Sequence, residues 1–246
     1  MNKQKKFFII FLMPICCFFI VSCKSDVKKD YEEAVDKYIN ESDKYSKDTH
    51  ALLYTDKTIQ CLIPSLGTVV GKVITAEVTT NDPDSASIPW DEYYSTLENS
   101  DAPIISVIKD VDSNPGRGAC FGDGMAYGHK MLGVKGAIVD GTIRDLDGIK
   151  EAGLPIWGNG LVPGHGTFNL VSVNSSIVVG SLRIQETDII VADINGCAKI
   201  PREFNPEEIL KLAMQIREFE QNIFEIYQQP NLTYSEARKK ISQILK

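Results

Sequence analysis

Gly122-Asp123-Gly124-Met125 and, further on, Gly136-Ala137-Ile138-Val139-Asp140-Gly141-Thr142-Ile143-Arg144-Asp145 decide how this chain of 246 residues is read. A short apolar run ending in Asp-Gly predicts a buried strand whose C-terminal end opens into a turn, where α/β folds gather their chemistry. Arg144 and Asp145 then stand at that mouth. The glycine-bracketed stretch from Gly122 to Met125 opens a helical pattern and suits a cradle of backbone amides for an anion. A guanidinium can hold a carboxylate or enolate oxygen while an adjacent aspartate holds a divalent metal. The same pair also suits a plainer role, capping the next helix and pairing with neighbours.

Outward from this stretch, strands and helices alternate. Residues 68–80 are rich in β-branched side chains and end at the turn cluster Asn81-Asp82-Pro83-Asp84-Ser85, which predicts one strand, or two with a glycine bend. A helix is expected over residues 90–97, a buried strand over 103–109, a loop over 112–118 and a helix over 122–132. A strand over 136–140, a helix over 145–152 and a brief strand over 155–157 follow. This order predicts an α/β domain with a largely parallel sheet. From Phe168 onward, residues 170–173, 177–179, 189–192 and 197–200 read as closely spaced strands, a β-rich half closing over the first.

The C-terminal segment is helical. Asn205-Pro206 makes a good N-cap and first helical residue, and Ile209, Leu212, Ala213, Ile216, Phe219 and Ile223 fall on one face. Thr233-Tyr234-Ser235-Glu236 is a capping box that starts a second helix. Phe219, Phe224 and Tyr227 make this a packing arm, either on a neighbouring subunit or within its own.

Lys3, Lys5 and Lys6 precede residues 7–21, which carry no charge, as in a secretory signal. The run is shorter than the roughly 20 residues of a spanning helix. It ends in Ile20-Val21-Ser22-Cys23, which resembles the bacterial lipobox. Residues 1–22 then form a lipoprotein signal peptide, and acylated Cys23 anchors the chain to a membrane of the bacterial cell envelope, facing outside the cytoplasm. An uncleaved signal anchor and an ordinary secretory signal are the alternatives. Residues 23–47 read as a charged tether becoming an amphipathic helix, residues 48–203 as the domain and 204–246 as the arm. Cys61, Cys120 and Cys197 lack metal-ligand spacing and read as buried thiols. A net charge of −7 without a basic stripe argues against nucleic acid as a partner.

The Gly122 to Met125 cradle, the run Gly133 to Asp145, Gly153-Leu154-Pro155-Ile156-Trp157 and Asp188-Ile189-Ile190-Val191-Ala192-Asp193-Ile194-Asn195-Gly196 together resemble the RraA-like family. It includes regulators of ribonuclease E and class II pyruvate aldolases for 4-hydroxy-4-methyl-2-oxoglutarate, and some members are called demethylmenaquinone methyltransferases. The resemblance implies an α/β/β sandwich or swivelling, barrel-like domain with a C-terminal helical arm, assembled into homotrimers or homohexamers with sites near subunit boundaries. For the aldolase branch it implies Mg²⁺ or Mn²⁺, with Asp145 as direct metal ligand and Arg144 gripping the oxygen of a small 2-oxo acid. The amides of Gly122, Asp123, Gly124 and Met125 match the carboxylate cradle, and Asp123 matches the residue that orients a proton-carrying water. A glutamate of the neighbouring subunit's arm completes the outer metal shell in that branch, which makes Glu218 and Glu220 candidates.

Retention of Asp145 separates the chain from the ribonuclease-regulating branch, which lacks that aspartate. The expected activity is a metal-dependent lyase that releases pyruvate through an enolate. The alternative is a non-catalytic binding or regulatory protein of the cell envelope. Asp123 also suits a plain N-cap. His165, in Pro163-Gly164-His165-Gly166-Thr167, is either solvated or near the site, and His129 is expected on the outer or core face of its helix rather than as a ligand. Asp140, Asp147 and Asp193 read as turn and cap residues.

Overall fold

The computed structural model describes residues 53–100, 103–200, 202 and 204–244. The signal peptide, Cys23 and the tether lie outside the described residues. The elements run β1 (Gln60–Cys61), β2 (Val69–Thr79), α1 (Trp90–Glu98), β3 (Ile104–Asp110), β4 (Ala119–Phe121), α2 (Asp123–Met131), β5 (Val134–Ile143), α3 (Leu146–Ala152) and β6 (Ile156–Leu161). Then come β7 (Asn169–Val173), β8 (Ile177–Val179), β9 (Leu182–Ile184), β10 (Ile189–Asp193), β11 (Gly196–Ile200), α4 (Pro206–Tyr227) and α5 (Tyr234–Ile244). Leu52–Arg202 forms one compact unit, and Glu203–Lys246 belongs to a second.

Parallel pairing joins β2, β3, β5 and β6 at the centre of a nine-stranded sheet. Long strands there change partners along one edge. β2 pairs with β10 from Val69 to Lys72 and with β7 from Ala76 to Thr79. β5 pairs with β3 as far as Asp140 and then with β4 at Thr142 and Ile143. The strands after Phe168 therefore close the domain by extending the parallel sheet, while β8 and β9 form a separate hairpin. The result is a mixed α/β fold around a nearly closed, barrel-like sheet.

Alternation along the strands divides the core. On β3, Ile104 and Ile108 join the apolar cluster under α1, α2 and α3, whereas Ile105 and Val107 face Val179, Leu182, Ile184 and Ile190 on the other side. Both sheet faces are thus covered, which explains why β3 is buried at almost every position.

One sequence expectation fails here. Asp140-Gly141 is not the turn that ends the strand, because β5 continues to Ile143. Thr142 and Ile143 still find partners on both sides, β4 and β6, so the ladder has no reason to stop. Gly141 permits this, since a Cβ there would sit 2.6 Å from Cys120 Sγ. Asp140 accepts from Asn159 Nδ2 (2.9 Å) and Gly180 N (3.3 Å). The sequence reading also lacks β1, β4 and β9, each two or three residues long and too short to carry a period.

In the second unit, Asn205 Oδ1 accepts Glu207 N (2.9 Å) at the start of α4. The capping box is reciprocal: Thr233 N donates to Glu236 Oε2 (2.9 Å) and Glu236 N to Thr233 Oγ1 (3.3 Å). Phe219, Ile223 and Ile226 pack on Ala237 and Ile241 of α5. Among the described residues, no helix is long and apolar enough to cross a membrane.

Beneath α1 and α2 lies a buried polar chain. Met125 C=O can only accept, so His129 Nδ1 carries a proton and donates to it at 2.7 Å. Nε2 of the neutral ring then accepts from Tyr93 Oη at 2.7 Å, and Tyr93 Oη accepts from Ser106 Oγ at 2.6 Å. All three side chains are fully buried. His129 thus belongs to the core. Burial pushes its pKa from 6.5 down to about 4, against a smaller opposing effect of the Met125 bond, and burial holds the Tyr93 hydroxyl well above its ordinary value.

Because the folded His129 pKa lies below the unfolded one, the unfolded chain takes up this proton first as the pH falls. Stability from this group is intact above pH 6.5 and is lost between 6.5 and about 4. Urea midpoints should show a loss of about 2 kcal/mol between pH 7 and pH 5 from this residue. His129→Phe, less stable at pH 7, should show a correspondingly flatter profile over that interval.

Candidate functional site

Parallel pairing sends the carboxyl ends of β4, β5 and β6 to one edge of the sheet, and the predicted site residues follow those ends. Phe121 is paired with Ile143, and its carbonyl accepts Arg144 N at 3.0 Å. This bond carries the main-chain register one residue past the strands. It brings Gly122 beneath Arg144 and Asp145: a Cβ on Gly122 would lie 3.4 Å from both Arg144 Nε and Asp145 Oδ2. A larger residue would crowd the pair.

Asp145 occupies the left-handed region (φ 58°, ψ 42°). Aspartate visits this region more readily than most residues, yet the conformation costs about 1 kcal/mol relative to the right-handed form. Its backbone starts α3, with Ile149 N donating to Asp145 O at 3.0 Å. Its side chain makes no capping bond. Instead Asp145 Oδ2 accepts from Arg144 Nη1 at 2.8 Å, with the two side chains 37% and 34% exposed. The two residues pair with each other, and the side-chain capping role is not realised. Among the described residues, no second ion pair or hydrogen bond engages the Asp145 carboxylate.

The cradle is the first turn of α2. Gly122 is the N-cap and its carbonyl accepts Ala126 N at 3.1 Å, so the amides of Asp123, Gly124 and Met125 have no partner within the helix. Asp123 Oδ1 accepts Gly124 N at 2.7 Å. Asp123 is therefore not the N-cap, and one amide of the expected cradle is already engaged by it. Its carboxylate is seated against α3, where a Cβ on Gly148 would come within 2.7 Å of Asp123 Cβ and Oδ2. Gly148 was not singled out from sequence. A glycine inside a short helix is a signal of close approach.

His165 is exposed, near Gly166 O (3.2 Å) and edge-on to Phe168, and no hydrogen bond or ion pair joins it to Arg144 or Asp145. Its loop is pinned on both sides, by Ala119 N to Gly164 O and Thr167 N to Thr80 O, each 2.8 Å. Asp193 accepts Asn195 N at 2.7 Å in the β10–β11 turn, as expected, and Asp147 is exposed in the first turn of α3. Glu218 is exposed and Glu220 buried on α4. Cys61, Cys120 and Cys197 are free thiols, Cys120 and Cys197 buried. Cys61 is half-buried and not enclosed as expected; burial raises the pKa of all three, which favours the protonated thiol. Among the described residues, no group of three or more His, Cys, Asp or Glu side chains is gathered as for a metal. A single exposed carboxylate suits a hard divalent ion that keeps several of its own waters.

A family model described as RraA-like, Aldolase/RraA, matches residues 39–198. The chain is 30% identical over 158 residues to an uncharacterized protein of Methanocaldococcus jannaschii, covering 64% of this chain and 72% of that protein. It is 32% identical over 96 residues to a Halalkalibacterium halodurans protein named "Putative 4-hydroxy-4-methyl-2-oxoglutarate aldolase", covering 39% of this chain and 45% of the relative. The structure of RraAS2 from Streptomyces coelicolor, described as an unusual member of the RNase ES inhibitor RraA family, superposes with a TM-score of 0.56. That match covers 86% of this chain and all of the other at 18% identity, a likeness of fold. The extent of the family match, with the Gly122 to Asp145 motif inside it, makes this chain a member of the RraA-like family.

Proposed function

We propose that the chain is a membrane-anchored, divalent-metal-dependent lyase that cleaves a 2-oxo acid to pyruvate through an enolate, by retro-aldol cleavage of a 4-hydroxy-2-oxo acid or decarboxylation of oxaloacetate. The observation that carries the reading is the Asp145 carboxylate, which is held beside the Arg144 guanidinium over Gly122 instead of on the helix it precedes. A strained backbone that turns a carboxylate away from its capping role suits a ligand site.

The roles follow from charge. The free amides of Asp123 and Met125 face the substrate's carboxylate. Arg144 holds the 2-oxo oxygen and opposes the charge that grows there, with no reorganisation required of a guanidinium already in place. Asp145 offers the protein oxygen for Mg²⁺ or Mn²⁺, whose Lewis acidity stabilises the enolate when the ion is bound. Asp123, seated on Gly148, orients the water that returns a proton to the enolate carbon. The family's assembly into homotrimers or homohexamers, with the arm contributing to a neighbour, completes the proposal. Cys23 as the lipid anchor would place the chemistry at the envelope.

The deciding experiment follows pyruvate release from oxaloacetate and from 4-hydroxy-2-oxo acids by residues 24–246 with Mg²⁺ or Mn²⁺. Metal-dependent release that is absent in Asp145→Ala supports the lyase; equal release, or none from the natural chain, returns the chain to the binding or regulatory reading. Arg144→Met should lower kcat by about 10²- to 10³-fold, and Arg144→Lys, which keeps the charge without the fork, by less.

Gly148→Ala gains helix propensity of about 0.5–1 kcal/mol but drives a methyl into Asp123. Pyruvate release should fall about tenfold while the thermal midpoint changes by only a few degrees. Lipid labelling in a bacterial host checks the anchor: Cys23→Ser should abolish it, and persistent labelling would remove Cys23 from the proposal.

A further inference from the structure

The buried chain Ser106–Tyr93–His129 does not end on an arbitrary carbonyl. Met125 C=O, to which His129 Nδ1 donates, shares a rigid peptide plane with Ala126 N–H, and that N–H donates to Gly122 C=O at 3.1 Å. Gly122 C=O in turn shares its plane with the Asp123 N–H of the cradle. Hydrogen bonds and peptide planes thus run without a break from Ser106 on β3 to the Asp123 amide. The His129 ring also meets the Phe121 ring edge-on, with centroids 5.0 Å apart, and Phe121 O holds Arg144 N. Both sides of the site lean on this imidazole.

We infer that His129, held by Tyr93, is a positioning residue that aims the Asp123 amide at the substrate's carboxylate. This rests on the proposed function, since it deepens the role of the same cradle. The ring does nothing to the substrate directly. Burial keeps it neutral, with one nitrogen a donor and the other an acceptor, and that polarity matches a chain beginning at a hydroxyl and ending at a carbonyl. A phenylalanine would fill the volume and keep the Phe121 contact but remove the side-chain donor to the Met125 carbonyl, leaving only the helical bond from the backbone N–H of residue 129. An asparagine is long enough to donate to the carbonyl four residues back and too short to reach Tyr93.

Three variants separate positioning from packing: Tyr93→Phe, His129→Phe and His129→Asn. In each, hydrogen exchange of the Ala126 amide, whose bond to Gly122 C=O fixes the Gly122–Asp123 peptide plane, is measured beside global stability, and KM and kcat are measured with oxaloacetate. Exchange at Ala126 should quicken in Tyr93→Phe and His129→Phe beyond the change in global stability. KM should rise about tenfold with kcat within about threefold, since a ground-state contact is weakened. His129→Asn should recover part of the KM, although it packs worse than phenylalanine. Ala126 exchange that follows global stability alone, or a KM ranked by stability with asparagine the poorest, overturns the assignment. If the natural chain releases no pyruvate, the lyase reading fails, and Ala126 exchange still decides whether His129 holds the peptide plane that aims the Asp123 amide.

Discussion

The transfer of the β5 edge from β3 to β4 is the constraint on which the site depends. Up to Asp140 the edge belongs to β3; from Thr142 it belongs to a strand of three residues. Such a strand has little stability of its own, and it persists because Ala119, Cys120 and Phe121 are buried and Gly141 lets Cys120 approach. Had β5 stopped at Asp140, Arg144 would follow a free turn. Because it continues, Arg144 leaves a paired strand with its amide on Phe121 O, and Gly122 leaves the neighbouring strand beside it. A one-residue slip between β4 and β5 would point Phe121 out of the core and carry Gly122 away from the charges.

The local cost of the site is concentrated at Asp145. Its left-handed backbone is imposed by the abrupt passage from β5 to α3, which starts at the next residue. Asparagine or glycine would bear that conformation with less strain, and neither supplies a charge. The Arg144 pairing, about one-third exposed, contributes little net stability, in the range of 0–1 kcal/mol for surface pairs. On the proposed reading, strain without a matching structural gain fits a residue whose role is to bind a ligand.

Much of this was legible in the sequence. The β-branched run at Val69 to Thr79, the Asn205-Pro206 start and the Thr233 to Glu236 box each rest on local rules, and the structure has one continuous strand and two helices there. Arg144 and Asp145 were legible as a pair but not in their geometry. Reading Asp140-Gly141 as a turn is sound locally; the partner change that overrides it is a tertiary event, invisible in a ten-residue window. The short strands β1, β4 and β9 escape for the same reason. Asp123 on Gly148 and His129 on Tyr93 join residues 25 and 36 positions apart, and neither distance leaves a periodic trace.

The engaged Gly124 amide gives the cradle its character. A helix start with three free amides and no anion would be a general anion trap, open to phosphate or any carboxylate. Here Asp123 Oδ1 takes the Gly124 amide from within the turn, which leaves the Asp123 and Met125 amides and lowers the positive potential of the helix end. On the proposed reading, an incoming carboxylate meets a second carboxylate at close range, an unfavourable encounter unless Arg144 and a bound divalent ion supply the opposing charge. Affinity for a simple anion is thereby made to depend on the rest of the site. A 2-oxo acid can satisfy both sides at once, its carboxylate on the amides and its keto oxygen toward Arg144. A plain carboxylate or phosphate engages the amides against the repulsion of Asp123 with no keto oxygen to offset it.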